Sequence, residues 1–198
     1  MVTSQKIAGV ILAGGRATRM GGGDKGTLLL AGQPMLTHVI ARIRPQVDEL
    51  AMNANGDPAR FAKLDLPVLA DPLPGFIGPL AGVLAGMDWA AARGFSRILT
   101  VAADTPFLPV DLVQRLGAGF ALAASPDAEG ITRLHPTIGL WPVTLAPDLR
   151  AALERGERKV GRWAQEAGAR RCAFADHPDP FFNVNTPQDL AQAEARLA

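Results

Sequence analysis

Six consecutive residues near the start of the chain, Ile7-Ala8-Gly9-Val10-Ile11-Leu12, carry no polar side chain, and Gly14-Gly15 follow almost at once. A strand with nothing polar on either face has to be covered on both, which is the environment of a parallel sheet lying between helices. Arg97-Ile98-Leu99-Thr100-Val101-Ala102 has the same character, and Leu50-Ala51-Met52 and Pro67-Val68-Leu69-Ala70 are shorter candidates. Between these runs the period changes. Leu36, Val39, Ile40 and Ile43 recur at helical spacing within residues 34–44, with Pro34 suited to the first turn. Leu80, Val83, Leu84 and Met87 line one face of a helix over 79–92, and another helix is expected over 109–116. Alternating strands and helices predict an α/β protein with a doubly wound, mostly parallel sheet.

The second half is less regular. Strands are expected over 120–124 and 137–141, and helices over 145–154 and 160–167. Thr186-Pro187-Gln188-Asp189 reads as a helix start, with a capping hydroxyl, a proline at the first helical position and an acid in the first turn. Leu190, Ala193 and Leu197 give that helix its apolar face. No repeat, charge block or linker divides the chain, so residues 1–198 are expected to form a single domain.

Charge and cysteine content narrow the function. Twenty Lys and Arg balance 19 Asp and Glu, for a formal net charge of +1. A grip on long nucleic acid needs a basic excess, so no nucleic-acid partner is expected, and anion binding falls to local clusters. Cys172 is the only cysteine, which excludes an intrachain disulfide and a thiolate metal cage. The apolar runs fall well short of the ~20 residues of a membrane span. No secretory leader is legible, so a cytoplasmic protein with no membrane partner is expected.

The segment from Leu12 to Lys25, Leu-Ala-Gly-Gly-Arg-Ala-Thr-Arg-Met-Gly-Gly-Gly-Asp-Lys, carries five glycines and three cations directly after a buried strand. Glycines let backbone N–H groups approach phosphate oxygens, and cations neutralise their charge. In an open α/β sheet this is also the strand end where ligands bind. The G-x-x-x-x-G-K-[ST] string of a P-loop is absent. Gly21, Gly23 and Gly26 satisfy G-x-G-x-x-G, but nine residues beyond the strand, outside the context that motif requires. A plain surface loop is the competing reading.

Two other strand ends carry acids. Asp104 follows Val101-Ala102-Ala103, where it would either hold a magnesium ion that bridges phosphates or cap the turn into Thr105-Pro106. Asp71 ends Val68-Leu69-Ala70. Asn53 follows Met52, and is either a base-edge contact or an ordinary turn residue.

Leu12-Ala13-Gly14-Gly15, Arg19-Met20-Gly21-Gly22 and Asp24-Lys25 together resemble the signature of nucleotidyltransferases on the nucleotide-diphospho-sugar transferase fold. The Gly-Gly-x-Asp-Lys ending is similar to that of the molybdenum cofactor guanylyltransferase family in particular. Asp104-Thr105-Pro106-Phe107, Gly78-Pro79-Leu80-Ala81-Gly82 and Asn183-Val184-Asn185-Thr186-Pro187 extend the likeness over nearly the whole chain. Ala102-Ala103 is less polar than is usual before the family's acid.

The resemblance implies transfer of GMP from GTP to the phosphate of molybdopterin. It assigns Leu12, Ala13, Gly14, Gly15, Lys25, Asn53, Asp71 and Asp104 to the nucleotide, and Asp104 to Mg2+. Lys25, Arg19 and Asp104 are the expected catalytic residues, and Asn183 and Asn185 would meet the acceptor. Asn185 or Thr186 could instead simply cap the last helix. A monomer with transient contacts to cofactor-biosynthesis or acceptor proteins is expected. The rival readings are a sister enzyme making a cytidine dinucleotide or a sugar-nucleotide, and a non-catalytic nucleotide-binding module. None of His38, His135 and His177 is expected to act as a base, and Trp89, Trp141 and Trp163 are expected in the core.

Overall fold

The computed structural model describes residues 6–14, 28–75, 78–127 and 129–197. In chain order the elements are β1 (Ile7–Leu12), β2 (Leu29–Leu30), β3 (Gln33–Pro34), α1 (Met35–Ile43), β4 (Glu49–Asn53), β5 (Val68–Leu69), α2 (Pro79–Ala91) and β6 (Arg97–Ala102). There follow α3 (Leu112–Leu116), β7 (Ala121–Pro126), β8 (Thr132–Pro142), α4 (Ala146–Glu154), α5 (Val160–Glu166), β9 (Arg170–Ala173) and α6 (Pro187–Ala195). Seven strands make one sheet in the order β5-β4-β1-β6-β8-β7-β9. Only β8 runs against the others. The doubly wound, mostly parallel α/β class read from the sequence is the observed one.

The sheet's two faces are both dry, for the reason the apolar runs implied. Ile7 and Ile11 of β1 join Leu99 and Val101 of β6 beneath Leu36, Val39 and Ile43 of α1 and Leu112 and Leu116 of α3. Ala8, Val10 and Ile98 point the other way, onto Leu80, Val83, Leu84 and Met87 of α2 and onto α4 and α5. Trp141 and Trp163 stack at 6.2 Å in this second layer, and all three tryptophans are buried.

Thr100, the one hydroxyl in β6, is fully buried and fully used. It donates to the Thr137 carbonyl at 2.9 Å and accepts from Trp141 Nε1 at 2.7 Å. Both bonds cross to β8, whose pairing with β7 jumps from Leu122↔Gly139 to Ala123↔His135. The unpaired β8 residues 136–138 form a bulge, and Thr100 fixes its middle.

Several expectations need correction. The helix expected over 34–44 starts one residue later, because Pro34 pairs with Leu29 in the β2–β3 hairpin. Ala31 and Gly32 turn that hairpin with φ of 49° and 78°, the two-residue geometry that matches strand twist. Nothing in Ala-Gly announces such a turn as Asn-Gly would. The helix over 109–116 is a single short turn, Leu112–Leu116. The strand over 137–141 is the second half of the eleven-residue β8, whose first half is polar and contains Pro136. β9, Arg-Arg-Cys-Ala, was not expected at all: it pairs with β7 at the sheet edge, where polar side chains are tolerated.

Candidate active site

The parallel strands β1, β4, β5 and β6 all end on the same side of the sheet, and a cavity of about 360 Å³ opens there. Its walls include Leu12 at the end of β1 with Ala13 and Gly14 beyond it, Asn53 at the end of β4 with Asn55 beyond it, Asp71 after β5, and Asp104 after β6. Gly78 and Pro79 at the start of α2, Thr137 from the β8 bulge and Asn183 complete the polar part. A cleft outside the carboxyl ends of parallel strands is where open α/β sheets bind ligands. The ends of β1 are tied to both neighbours: Ala13 N–H donates to Asn53 O at 2.9 Å, and Ala103 N–H to Leu12 O at 3.1 Å.

Asp71 sits in a clamp of two amides. Asn53 Nδ2 donates to Asp71 Oδ1 at 3.0 Å and also to Leu69 O at 3.0 Å, so both of its donors are used inside the protein. Asn55 grips the same residue twice, donating from Nδ2 to Asp71 Oδ2 at 2.7 Å and accepting Asp71 N–H on Oδ1 at 2.9 Å. A carboxylate accepts about four hydrogen bonds. Asp71 thus keeps acceptor capacity for a ligand with N–H donors, while Asn53 is left with only its oxygen. That oxygen lies against α2, where a Cβ on Gly82 would collide with the Asn53 carboxamide. Gly82 is therefore required for Asn53 to stand where it does.

Asp104 and Asn183 are joined by their neighbours. Val184 N–H donates to Asp104 O at 2.9 Å, and Thr105 Oγ1–H donates to Asn183 Oδ1 at 3.0 Å. Asp104 is half-buried on the cavity wall. Among the described residues, no three His, Cys, Asp or Glu side chains gather to hold a metal by themselves. A carboxylate such as that of Asp104 suits magnesium, which uses hard oxygen donors and draws the rest from phosphates and water.

Residues 183–185 lie outside any strand. Asn185 is absent from the cavity wall among the described residues. Its N–H and that of Thr186 both donate to Asp189 Oδ2, at 2.9 and 2.8 Å, while Thr186 Oγ1 accepts Asp189 N–H at 3.1 Å. This capping box starts α6 as the Thr-Pro-x-Asp string required, with Thr186 as the cap.

His135 lies on β8 just before the bulge. Its Nε2 shares a hydrogen bond of 2.7 Å with the buried Ser125 Oγ, and its ring packs on Phe181 at 4.6 Å. Burial holds the imidazole below its ordinary pKa, against the opposing pull of Asp179. His38 Nε2 bonds to Leu30 O at 2.9 Å, and neither histidine lines the cavity. Gly15, Arg19 and Lys25 lie outside the described residues.

A family model described as the MobA-like NTP transferase domain matches residues 9–170. The chain belongs to this family. A molybdenum cofactor guanylyltransferase of Cereibacter sphaeroides is 52% identical over 193 residues, covering 97% of each chain. Among solved structures, the molybdopterin-guanine dinucleotide biosynthesis protein A of Archaeoglobus fulgidus superposes with a TM-score of 0.73 at 23% identity, over 96% of this chain and 98% of that one. The 2-C-methyl-D-erythritol 4-phosphate cytidylyltransferase of Thermus thermophilus reaches 0.70 at 20% identity, over 96% and 98%. The nucleotide-diphospho-sugar transferase fold is thus shared with proteins named for different bases.

Of the residues singled out in the sequence, Leu12, Ala13, Gly14, Asn53, Asp71, Asp104 and Asn183 line this one cavity. Asn55 lines it as well and was not singled out, although Asn53-Ala54-Asn55 offered two amides at a strand end. Thr137 was missed because the bulge that exposes it has no local signal.

Proposed function

We propose that this MobA-like NTP transferase transfers GMP from GTP to the terminal phosphate of molybdopterin, giving molybdopterin guanine dinucleotide and pyrophosphate. The observation that carries the reading is the grouping of Asp71, Asp104 and Asn183 around one cavity at the carboxyl ends of parallel strands. The choice of guanine and molybdopterin draws on relatives named as guanylyltransferases.

The roles follow from chemistry. Asp71, clamped by Asn53 and Asn55, is a fixed acceptor for a base edge that offers two N–H groups. The N1–H and N2–H₂ of guanine form such an edge, whereas cytosine offers a single amino donor beside an acceptor. The backbone after β1 faces the triphosphate, and Gly15, Arg19 and Lys25 are assigned to its phosphates. Asp104 would hold Mg2+, which when bound neutralises phosphate charge as the leaving group departs.

A phosphate oxygen of the acceptor attacks the α-phosphorus in line, and the new O–P bond forms as the bond to the β-phosphate oxygen breaks. Pyrophosphate leaves with the electron pair. The attacking phosphate monoester, with its second pKa near ~6, is already ionised at neutral pH, so no protein base is required. Asn183 meets the acceptor, and Asn185 is assigned there by the resemblance alone. Positioning and charge neutralisation supply the catalysis. We assign the reaction to the cytoplasm and to a monomer that meets other cofactor-biosynthesis or acceptor proteins transiently.

Label transfer tests the reading. With molybdopterin present, α-labelled GTP should place its label in a dinucleotide, while β- and γ-label leave together as pyrophosphate. α-Label recovered as free GMP, with no dinucleotide, would contradict it.

A further inference from the structure

Thr105 is completely buried next to Asp104, and no step assigned so far uses it. Its hydroxyl has one hydrogen-bond partner among the described residues, the Asn183 carboxamide, at 3.0 Å. A carboxamide offers an oxygen at one end and an NH₂ at the other, and its two orientations differ little in shape. The buried hydroxyl decides between them. If Thr105 accepted from the NH₂, its own O–H would be a buried donor with nowhere to go, which is the expensive kind of unmet hydrogen bond. Donation to Oδ1 leaves no orphan. The Asn183 oxygen therefore turns inward, and its NH₂ turns to the cavity, where Asn183 is exposed. The bond from Val184 N–H to Asp104 O holds the two segments in register one residue away.

We propose that Thr105 is a positioning residue for the acceptor: by fixing the Asn183 carboxamide it makes Asn183 a hydrogen-bond donor to an oxygen of the attacking molecule. The proposal rests on the acceptor-side reading of Asn183. It sets the chemistry of that contact, since a group that only donates there would be turned away. It also gives the residue after the metal-site acid a task on the acceptor side.

The test uses the full-length enzyme with GTP and molybdopterin. Thr105→Val keeps the shape and removes the hydroxyl, so the amide is free to flip. KM for molybdopterin should rise about tenfold, the order of one hydrogen bond, with kcat and the calorimetric Kd for GTP within about twofold of the parent. Thr105→Ser should restore the parent KM. Once Asn183→Ala has raised KM, adding Thr105→Val should change it no further.

Should Thr105→Val not fold, Asn183→Asp supplies the same test, because it keeps an acceptor for Thr105 and loses the cavity-facing donor. KM for molybdopterin should rise at least as far as in Asn183→Ala, and a parent-like KM would overturn the donor assignment. A Thr105→Val effect that falls equally on GTP binding, adds to that of Asn183→Ala, or is not rescued by serine would overturn the positioning role. If Asn183→Ala leaves KM for molybdopterin unchanged, the acceptor-side reading itself is wrong. If Asn183→Ala raises it and Thr105→Val does not, only the role of Thr105 falls.

Discussion

Asp71 and Asp104 are both carboxylates at the ends of parallel strands, yet their neighbours give them different work. Asp71 has an amide on each oxygen and so presents a fixed acceptor. Asp104 accepts the Val184 N–H on its backbone carbonyl and lines the cavity wall, where a carboxylate suits a cation. Asp104→Ala keeps that backbone bond, so the variant should fold while magnesium-dependent turnover falls by roughly 10²–10³ or more. Near-parental turnover at ordinary magnesium would remove Asp104 from the metal site.

His135 calls for a different measurement, because its environment concerns stability. Burial depresses its pKa from the ordinary 6.5, so below that pH the unfolded chain takes up a proton that the folded chain resists. Stability from this group is complete above about 6.5 and is lost as pH falls. Denaturant midpoints at pH 7 and pH 5 should therefore lie closer together in His135→Asn than in the parent, and identical shifts would dismiss the effect. Turnover of His135→Asn at neutral pH should stay within about tenfold of the parent, since the acceptor phosphate needs no base.

α2 shows how a helix can set a binding site it barely touches. Gly82 makes room for the Asn53 carboxamide, and Gly86 makes room for Val10 in the core, where an added Cβ would meet Cγ2 at 2.8 Å. Alanine at either position overpacks a filled layer and should cost about 1–3 kcal/mol. Only Gly82→Ala should also weaken GTP binding, about tenfold, by displacing Asn53 and loosening Asp71. Calorimetry on both variants decides this: equal GTP affinity would detach Asn53 from base recognition.

The elements that frame the site were legible because burial on both faces writes itself into sequence, as in β1 and β6. Asp104 and Asp71 could be placed once those strand ends were known. The β2–β3 hairpin, the β8 bulge and β9 were not legible, since each is set by pairing with distant strands. The clamp on Asp71 was hidden for the same reason. Asn53 and Asn55 look like turn residues until β5 brings Asp71 beside them, 16 to 18 positions away in the chain.

Taken whole, the molecule is an α/β sheet whose parallel strand ends converge on one cavity among the described residues, and the proposed base, phosphate and acceptor roles fall on separate segments. The fold alone leaves the base open, since structures named for guanine and cytidine products share it. The proposed choice of base rests on Asp71, and the need for an acceptor on the Asn183 side. Pyrophosphate release should therefore be measured with each of the four nucleoside triphosphates, with and without molybdopterin, in the parent and in Asp71→Asn. The parent should release pyrophosphate with GTP and only when molybdopterin is present, and Asp71→Asn should lose most of its preference for GTP. Equal release with CTP in the parent, or release with GTP that ignores molybdopterin, would contradict the account.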